Sequence, residues 1–139
     1  MVVYIGSDHR GEELRPRIAS YVYELGYEYK DLGMNEDFPL MAQAVAKKVR
    51  ENRGIGILIC GTGQGMAMAA NKFSGIRAAV CNTVEDARLA RQHHDANIIA
   101  VGADRIGYYP GVTKEIIRTF LETKFGHEER YRRRIGQMY

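Results

Sequence analysis

Short apolar runs alternate along the chain with stretches whose apolar residues return every three or four positions. Val2–Ser7 (VVYIGS) reads as a first strand. Leu14, Ile18, Tyr21, Val22 and Leu25 recur at helical spacing. Pro16 fits only the first turn of a helix, so this one starts near Glu13 or later, and Gly26 caps its end. Residues 27–31 form a weak second strand, and residues 39–50 a second helix with Met41, Ala42, Val45, Ala46 and Val49 inward. Ile55–Cys60 (IGILIC) is continuously apolar, as a parallel strand covered on both faces must be. Residues 61–65 are a glycine-rich turn, and residues 66–71 open the next helix. The alternation continues with a strand at 78–81, a helix at 84–92, a strand at 98–101 and a helix at 113–124. The tail, about 127–139, predicts one more short helix.

Strand–helix units joined by short connections predict one α/β domain over residues 1–139. The expected architecture is three-layer α/β/α, with a five-stranded parallel sheet of Rossmann-like type. Ligands bind such sheets at the carboxyl ends of the strands. That selects residues 7–11, residues 60–65, the segment after Cys81 and the segment after Val101. The segment 93–97 precedes the fifth strand, so it falls near the opposite edge unless a neighbouring copy brings it in.

Composition adds limits. A chain of 139 residues is long enough to bury a real core. Hydrophobic residues at 45% and charged residues at 27% are ordinary for a globular protein. No apolar run approaches the ~18 residues a membrane span needs. The opening MVVYIGSDHRG reads as a strand, not a signal peptide. Neither Cys60 nor Cys81 sits in a CxxC pair, so reduced thiols and a cytoplasmic location are expected. The net charge of +3 owes much to Arg130-Tyr-Arg-Arg-Arg134. One short basic cluster without an aromatic platform argues against nucleic acid as a partner.

The chemistry concentrates in Cys60-Gly-Thr-Gly-Gln-Gly65, which runs strand, turn, helix. Gly61, Gly63 and Gly65 let the backbone approach a ligand and point N–H groups outward. A helix start adds partial positive charge, so a thiolate or an enediolate is stabilised there and Cys60 suits a base or nucleophile. The loop is not a Walker loop, since no Gly-Lys-Ser/Thr follows. Met66 stands where a dinucleotide fingerprint would have its third glycine. In Ser7-Asp-His-Arg-Gly11, Asp8 and His9 suit sugar hydroxyls or proton movement, and Asp8 equally suits a helix cap. His93 and His94 suggest acid–base work, with at most one facing a given site. No ligand spacing supports a metal site from Cys60, His93 and Asp8. Arg130 and Arg134, four apart, share a helix face and match a phosphate.

At these motifs the chain resembles the ribose-5-phosphate isomerase type B family, which includes galactose-6-phosphate isomerase subunits and allose-6-phosphate isomerase. The carrying segments are GSDHRG (6–11), ICGTGQGM (59–66), ANKFSGIR (70–77), ARQHHDAN (90–97) and the final arginines, in the family's order. The resemblance implies an aldose–ketose isomerase of a phosphorylated sugar, with no cofactor and no metal. It implies Cys60 as the base, Thr62 as a hydroxyl moving protons between substrate oxygens, and His93 as the ring-opening histidine. Asp8, His9, Gly61, Gly63, Gly65, Met66, His94, Arg130 and Arg134 would bind substrate. It also implies a homodimer or homotetramer whose sites draw on two subunits, which would bring His93 to Cys60.

Three positions depart from the family pattern. His94 stands where Asn is usual, and Phe38 replaces a tyrosine in Asp37-Phe-Pro39. Asp104 occupies a position where the family often has arginine, with Arg105 one residue later. An aspartate there repels a phosphate, so either Arg105 compensates through a small loop shift or the substrate's far end differs. Ribose 5-phosphate leads as substrate. Allose 6-phosphate, galactose 6-phosphate and a tetrose phosphate stay open, as does a non-catalytic sugar-phosphate-binding subunit. A nucleotide- or nucleic-acid-binding module would predict tight binding without turnover, and the incomplete fingerprint disfavours it.

Overall fold

The computed structural model describes residues Met1–Tyr139. Its strands are β1 (Val2–Ser7), β2 (Glu28–Met34), β3 (Ile55–Cys60), β4 (Ala78–Val80) and β5 (Ile98–Gly102). Its helices are α1 (Leu14–Glu24), α2 (Phe38–Asn52), α3 (Gln64–Ala70), α4 (Val84–His94), α5 (Ala103–Ile106), α6 (Pro110–Glu122) and α7 (Glu129–Gln137). The strands form one five-stranded sheet, parallel throughout, in the order β2-β1-β3-β5-β4. The expected three-layer arrangement is the one observed.

The layers follow from strand alternation. Val3, Ile5, Ile55, Ile57, Ile59, Ile99 and Val101 face one side. There they meet α1 through Ile18 and Val22, α4 through Ala87 and Ala90, and α6 through Ile116, Ile117 and Phe120. Tyr4, Leu58, Cys60, Ile98 and Ala100 face the other side and meet Met41, Val45 and Val49 of α2 with Met66 and Ala70 of α3. Ile57, Leu58 and Ile59 are wholly inaccessible to solvent. Burial of each such side chain stabilises the fold by roughly 2 kcal/mol. The amphipathic tail helix α7 packs on α4 and buries Tyr131.

The chain winds outward from β1 to β2 and returns to the other side of β1 to make β3. The carboxyl ends of β1 and β3 therefore flank a switch in winding direction, the place where open parallel sheets bind their ligands. Ser7 and Cys60 end these two strands.

Several boundaries differ from the sequence expectation. β2 runs on to Met34, because edge pairing continues past an irregularity to Ser7↔Met34. α4 runs to His94 and closes on Asp95 at φ +46°, so both histidines are helical. The short α5 has no periodicity to announce it; it forms where Gly102 ends β5.

Candidate active site

β3 ends at Cys60, and α3 begins at Gln64. Between them Gly63 takes φ +87°, a left-handed conformation that favours glycine. A Cβ there would also lie 3.1 Å from the Ala100 carbonyl oxygen. This turn aims the Gly63 N–H at Cys60 Sγ, to which it donates at 3.1 Å. The Gln64 N–H donates to Thr62 Oγ1 at 3.3 Å, holding the hydroxyl at the start of α3. The first N–H groups of the helix have no carbonyl partner within it. Together these donors make a polar, anion-receptive rim around a nearly buried sulfur, 6% exposed.

Asn82 braces the turn. Its Nδ2 donates to the Thr62 carbonyl at 3.2 Å, and its Oδ1 accepts from the Gly102 N–H at 2.8 Å. The side-chain amide thus ties the Cys60 turn to the end of β5. Sequence reasoning selected the segment after Cys81 but not Asn82; an Asn one residue past a strand end was the available signal. Gly102 must be small, since a Cβ there would meet Thr62 Cα at 2.7 Å.

Asp8 lies beside this turn. Its N–H donates to the Ile59 carbonyl at 3.1 Å, which stitches the end of β1 to β3. Its Oδ1 accepts from the N–H groups of Arg10 (2.9 Å) and Gly11 (3.2 Å), capping the 3₁₀ turn His9–Gly11. The capping role is met, and Oδ2 stays uncommitted by it. His9 is exposed next to it. Arg10 reaches across to form an ion pair with Asp104, whose own N–H donates to the Gly61 carbonyl at 3.0 Å. The charge balancing Asp104 is therefore Arg10, and Arg105 is exposed. Phe38, the first residue of α2, covers Gly65: a Cβ there would lie 2.7 Å from the ring.

His93, His94, Arg130 and Arg134 lie at the other end of the sheet. β5 starts at Ile98, level with Gly56, and reaches Gly102, level with Cys60. That rise alone is about 13 Å. His93 and His94 end α4, on the Ile98 side. His93 stacks on Tyr131 with ring centroids 4.7 Å apart and meets His94 edge-on at 6.0 Å. Desolvation, then the neighbouring His93, holds the His94 imidazole below its ordinary value. Arg130 lies over the Tyr131 ring and pairs with Glu128 at 3.0 Å. Arg134 is exposed. A groove of about 700 Å³ opens at this same end, lined in part by Phe73, Arg77, His94 and Tyr139.

One chain thus gathers Asp8, His9, Cys60, Gly61, Thr62, Gly63 and Gly65 at the carboxyl end and leaves the histidines and tail arginines at the amino end. Met66 also follows the glycine turn. Its side chain is fully buried in the core between α2 and the sheet, so only its backbone is available to a ligand.

The sequence matches the Ribose/Galactose Isomerase family over residues 3–138. It is 37% identical over 130 residues to the galactose-6-phosphate isomerase subunit LacB of Clostridium acetobutylicum, covering 90% of this chain and 74% of that one. It is 38% identical over 129 residues to the D-erythrulose-4-phosphate isomerase of Pectobacterium atrosepticum, covering 88% of this chain and 84% of the relative. The solved ribose-5-phosphate isomerase B of Clostridium thermocellum superposes with a TM-score of 0.93 at 40% identity, over 99% of this chain and 95% of that one. No helix is long and apolar enough to cross a membrane. The fold, the glycine turn beneath Cys60 and near-complete coverage agree: the chain belongs to the ribose/galactose isomerase family and is an enzyme of the sugar-phosphate isomerase type.

Proposed function

We propose that this enzyme interconverts ribose 5-phosphate and ribulose 5-phosphate through a cis-enediolate, with Cys60 as the base. The observation that carries the reading is the Gly63 N–H held on Cys60 Sγ at the winding switch between β1 and β3. A proton next to a carbonyl is weakly acidic, so its removal needs a placed base and donors for the oxyanion. The Cys60 thiolate takes the proton from C2, and the C–H electron pair becomes the C1–C2 double bond. The carbonyl oxygen then carries the negative charge, and the N–H groups of residues 61–65 hold it. Thr62 relays a proton between the two substrate oxygens, and Cys60 returns its proton to C1. No electrons leave the substrate, so the sequence of steps calls for no cofactor and no metal.

His93 opens the sugar ring, and Arg130 and Arg134 hold the phosphate, in a site shared between copies of a homodimer or homotetramer. The separation of these residues from Cys60 within one chain supports sharing. A twofold interface places the amino end of one copy against the carboxyl end of the next. A tetrose or six-carbon sugar phosphate is the second reading. The relatives named for those sugars favour it, as does Phe38, which offers no hydroxyl.

The test is a coupled isomerase assay on ribose 5-phosphate, erythrose 4-phosphate, allose 6-phosphate and galactose 6-phosphate. Turnover of ribose 5-phosphate above the others, lost in Cys60→Ala, is expected. Preference for another sugar moves the assignment to the second reading. Mixing Cys60→Ala with His93→Ala protein tests sharing: two inactive homodimers regain activity in the heterodimer, and no regain overturns it.

A further inference from the structure

A carboxylate beside a turn proposed to hold an anionic sugar phosphate is an unfavourable choice, and Asp104 is such a carboxylate. Its N–H is tied to the Gly61 carbonyl at 3.0 Å, so the loop cannot drift from the turn while that bond holds. Its Oδ2 stands 3.2 Å from where a Cβ on Gly61 would be. Arg10 arrives from the segment that follows β1. Its guanidinium carbon lies 3.6 Å from the same point, and Nη2 donates to Asp104. The Arg10 backbone is itself fixed, because its N–H donates to the buried Asp8. Both ends of the pair are anchored on the structure that carries Cys60.

The pair uses one Arg10 nitrogen and leaves the rest of the guanidinium open, with the side chain 54% exposed. Of the other arginines of this end, Arg15 is already engaged by Ser7 Oγ at 2.8 Å and Asp31 at 3.0 Å, and Arg17 by the Gly107 carbonyl at 3.3 Å. A planar guanidinium with free donors matches the geometry of a phosphate. Taking the proposed isomerase reading as its basis, we infer that Arg10 is a specificity-determining residue. Asp104 pins it over the Gly61 turn, and its free edge receives the phosphate end of the sugar. Arg10 forms the near wall of the phosphate site, opposite Arg130 and Arg134 of a second copy. Its charge also cancels that of Asp104, which would otherwise face the phosphate unopposed.

The inference separates from an ordinary surface ion pair, which contributes little to anything. Arg10→Ala, Arg10→Lys and Arg10→Ala with Asp104→Asn are compared with the unmodified protein. Two readouts are taken: KM and kcat for the sugar phosphate turned over, and Kd for inorganic phosphate by calorimetry. Arg10→Ala is expected to raise KM and the phosphate Kd at least tenfold, with kcat within threefold and an unchanged melting temperature. Arg10→Lys keeps the charge but not the planar fork, so it recovers only part of the loss and falls between Arg10→Ala and the unmodified protein on both. Adding Asp104→Asn to Arg10→Ala recovers at least threefold of the lost affinity. Phosphate affinity and KM within twofold of the unmodified protein in Arg10→Ala overturn the inference. If the unmodified protein turns over no sugar phosphate, the isomerase reading fails, and the phosphate Kd still decides the role of Arg10.

Discussion

Cys60 ends β3, and Cys81 follows β4, with β5 between them. Both thiols stand at the carboxyl end of the sheet, and both are more than nine-tenths buried. The chain beyond each one separates them. After Cys60 come Gly-Thr-Gly, and the backbone curls back until the Gly63 N–H donates to the sulfur. After Cys81 come Asn-Thr, and Thr83 caps α4 by accepting from the Asp86 N–H at 3.1 Å. That turn offers the Cys81 sulfur no donor; its nearest polar partner is an acceptor, the Ala79 carbonyl at 3.7 Å. Burial, reinforced by Asp86, pushes the Cys81 thiol up to about 12. A strand end alone therefore gives a thiol no donor; the residues that follow it decide whether the sulfur has one.

The largest effect expected from this contrast is catalytic. Cys60→Ser should lower kcat by roughly a thousandfold, within the range of acid–base contributions. Cys81→Ala should leave kcat within about twofold, since no donor of its turn reaches the sulfur. A coupled isomerase assay on both variants checks this. Comparable losses would mean that the two thiols are not functionally distinct. Asn82 offers a finer test, because it sits next to one cysteine and serves the other. Asn82→Ala removes both bonds that hold the Cys60 turn to β5. We expect about a tenfold loss in kcat with little change in KM, and a stability loss of about 1–2 kcal/mol by denaturant melts. A KM effect without a kcat effect would show that Asn82 acts on binding instead.

The contrast also shows what the chain discloses before folding. IGILIC followed by glycines gave away β3, its burial on both faces and the turn, because each follows from local pattern. The two cysteines were told apart for the same reason: one has glycines beside it and the other does not. Asn82 and the Arg10–Asp104 pair were not legible. Their partners are 20 and 94 residues away, and nothing local in a sequence encodes which side chain reaches which partner. The burial of the Met66 side chain was not legible either, because the glycine turn runs straight into a helix whose first inward position belongs to the core. The histidines were placed at the correct end of the sheet, yet the end of α4 was set before them. Polar residues in a last helical turn resemble a loop in pattern.

Burial of Cys81 has a thermodynamic consequence smaller than the catalytic ones. Its thiol ionises near 9 when unfolded and near 12 when folded. The folded state holds the proton more tightly, so stability is intact below pH 9 and falls as pH rises toward 12. The cost at pH 10 is about 1 kcal/mol. Cys81→Ala removes this contribution. The stability advantage of the unmodified protein over the variant should therefore shrink by that amount between pH 8 and pH 10 in urea titrations. An advantage independent of pH would mean that Cys81 is hydrated in solution.

The same penalty on a buried charge acts with opposite sign at His94. Desolvation and His93 hold its imidazole below its ordinary value, so the unfolded chain binds this proton more readily than the folded one. Stability is then complete above the ordinary histidine range and declines as pH falls through it toward the lower folded value. His94 is largely exposed, so the decline should be smaller than the alkaline loss at Cys81. His94→Gln keeps a polar side chain and removes the proton site, and its stability should vary less than that of the unmodified protein between pH 7 and pH 5. An unaltered acid slope would assign that slope to other groups. A slope reversed in sign would mean that His94 gains a partner for its charged form, an anion or a carboxylate from a second copy seated in the adjoining groove.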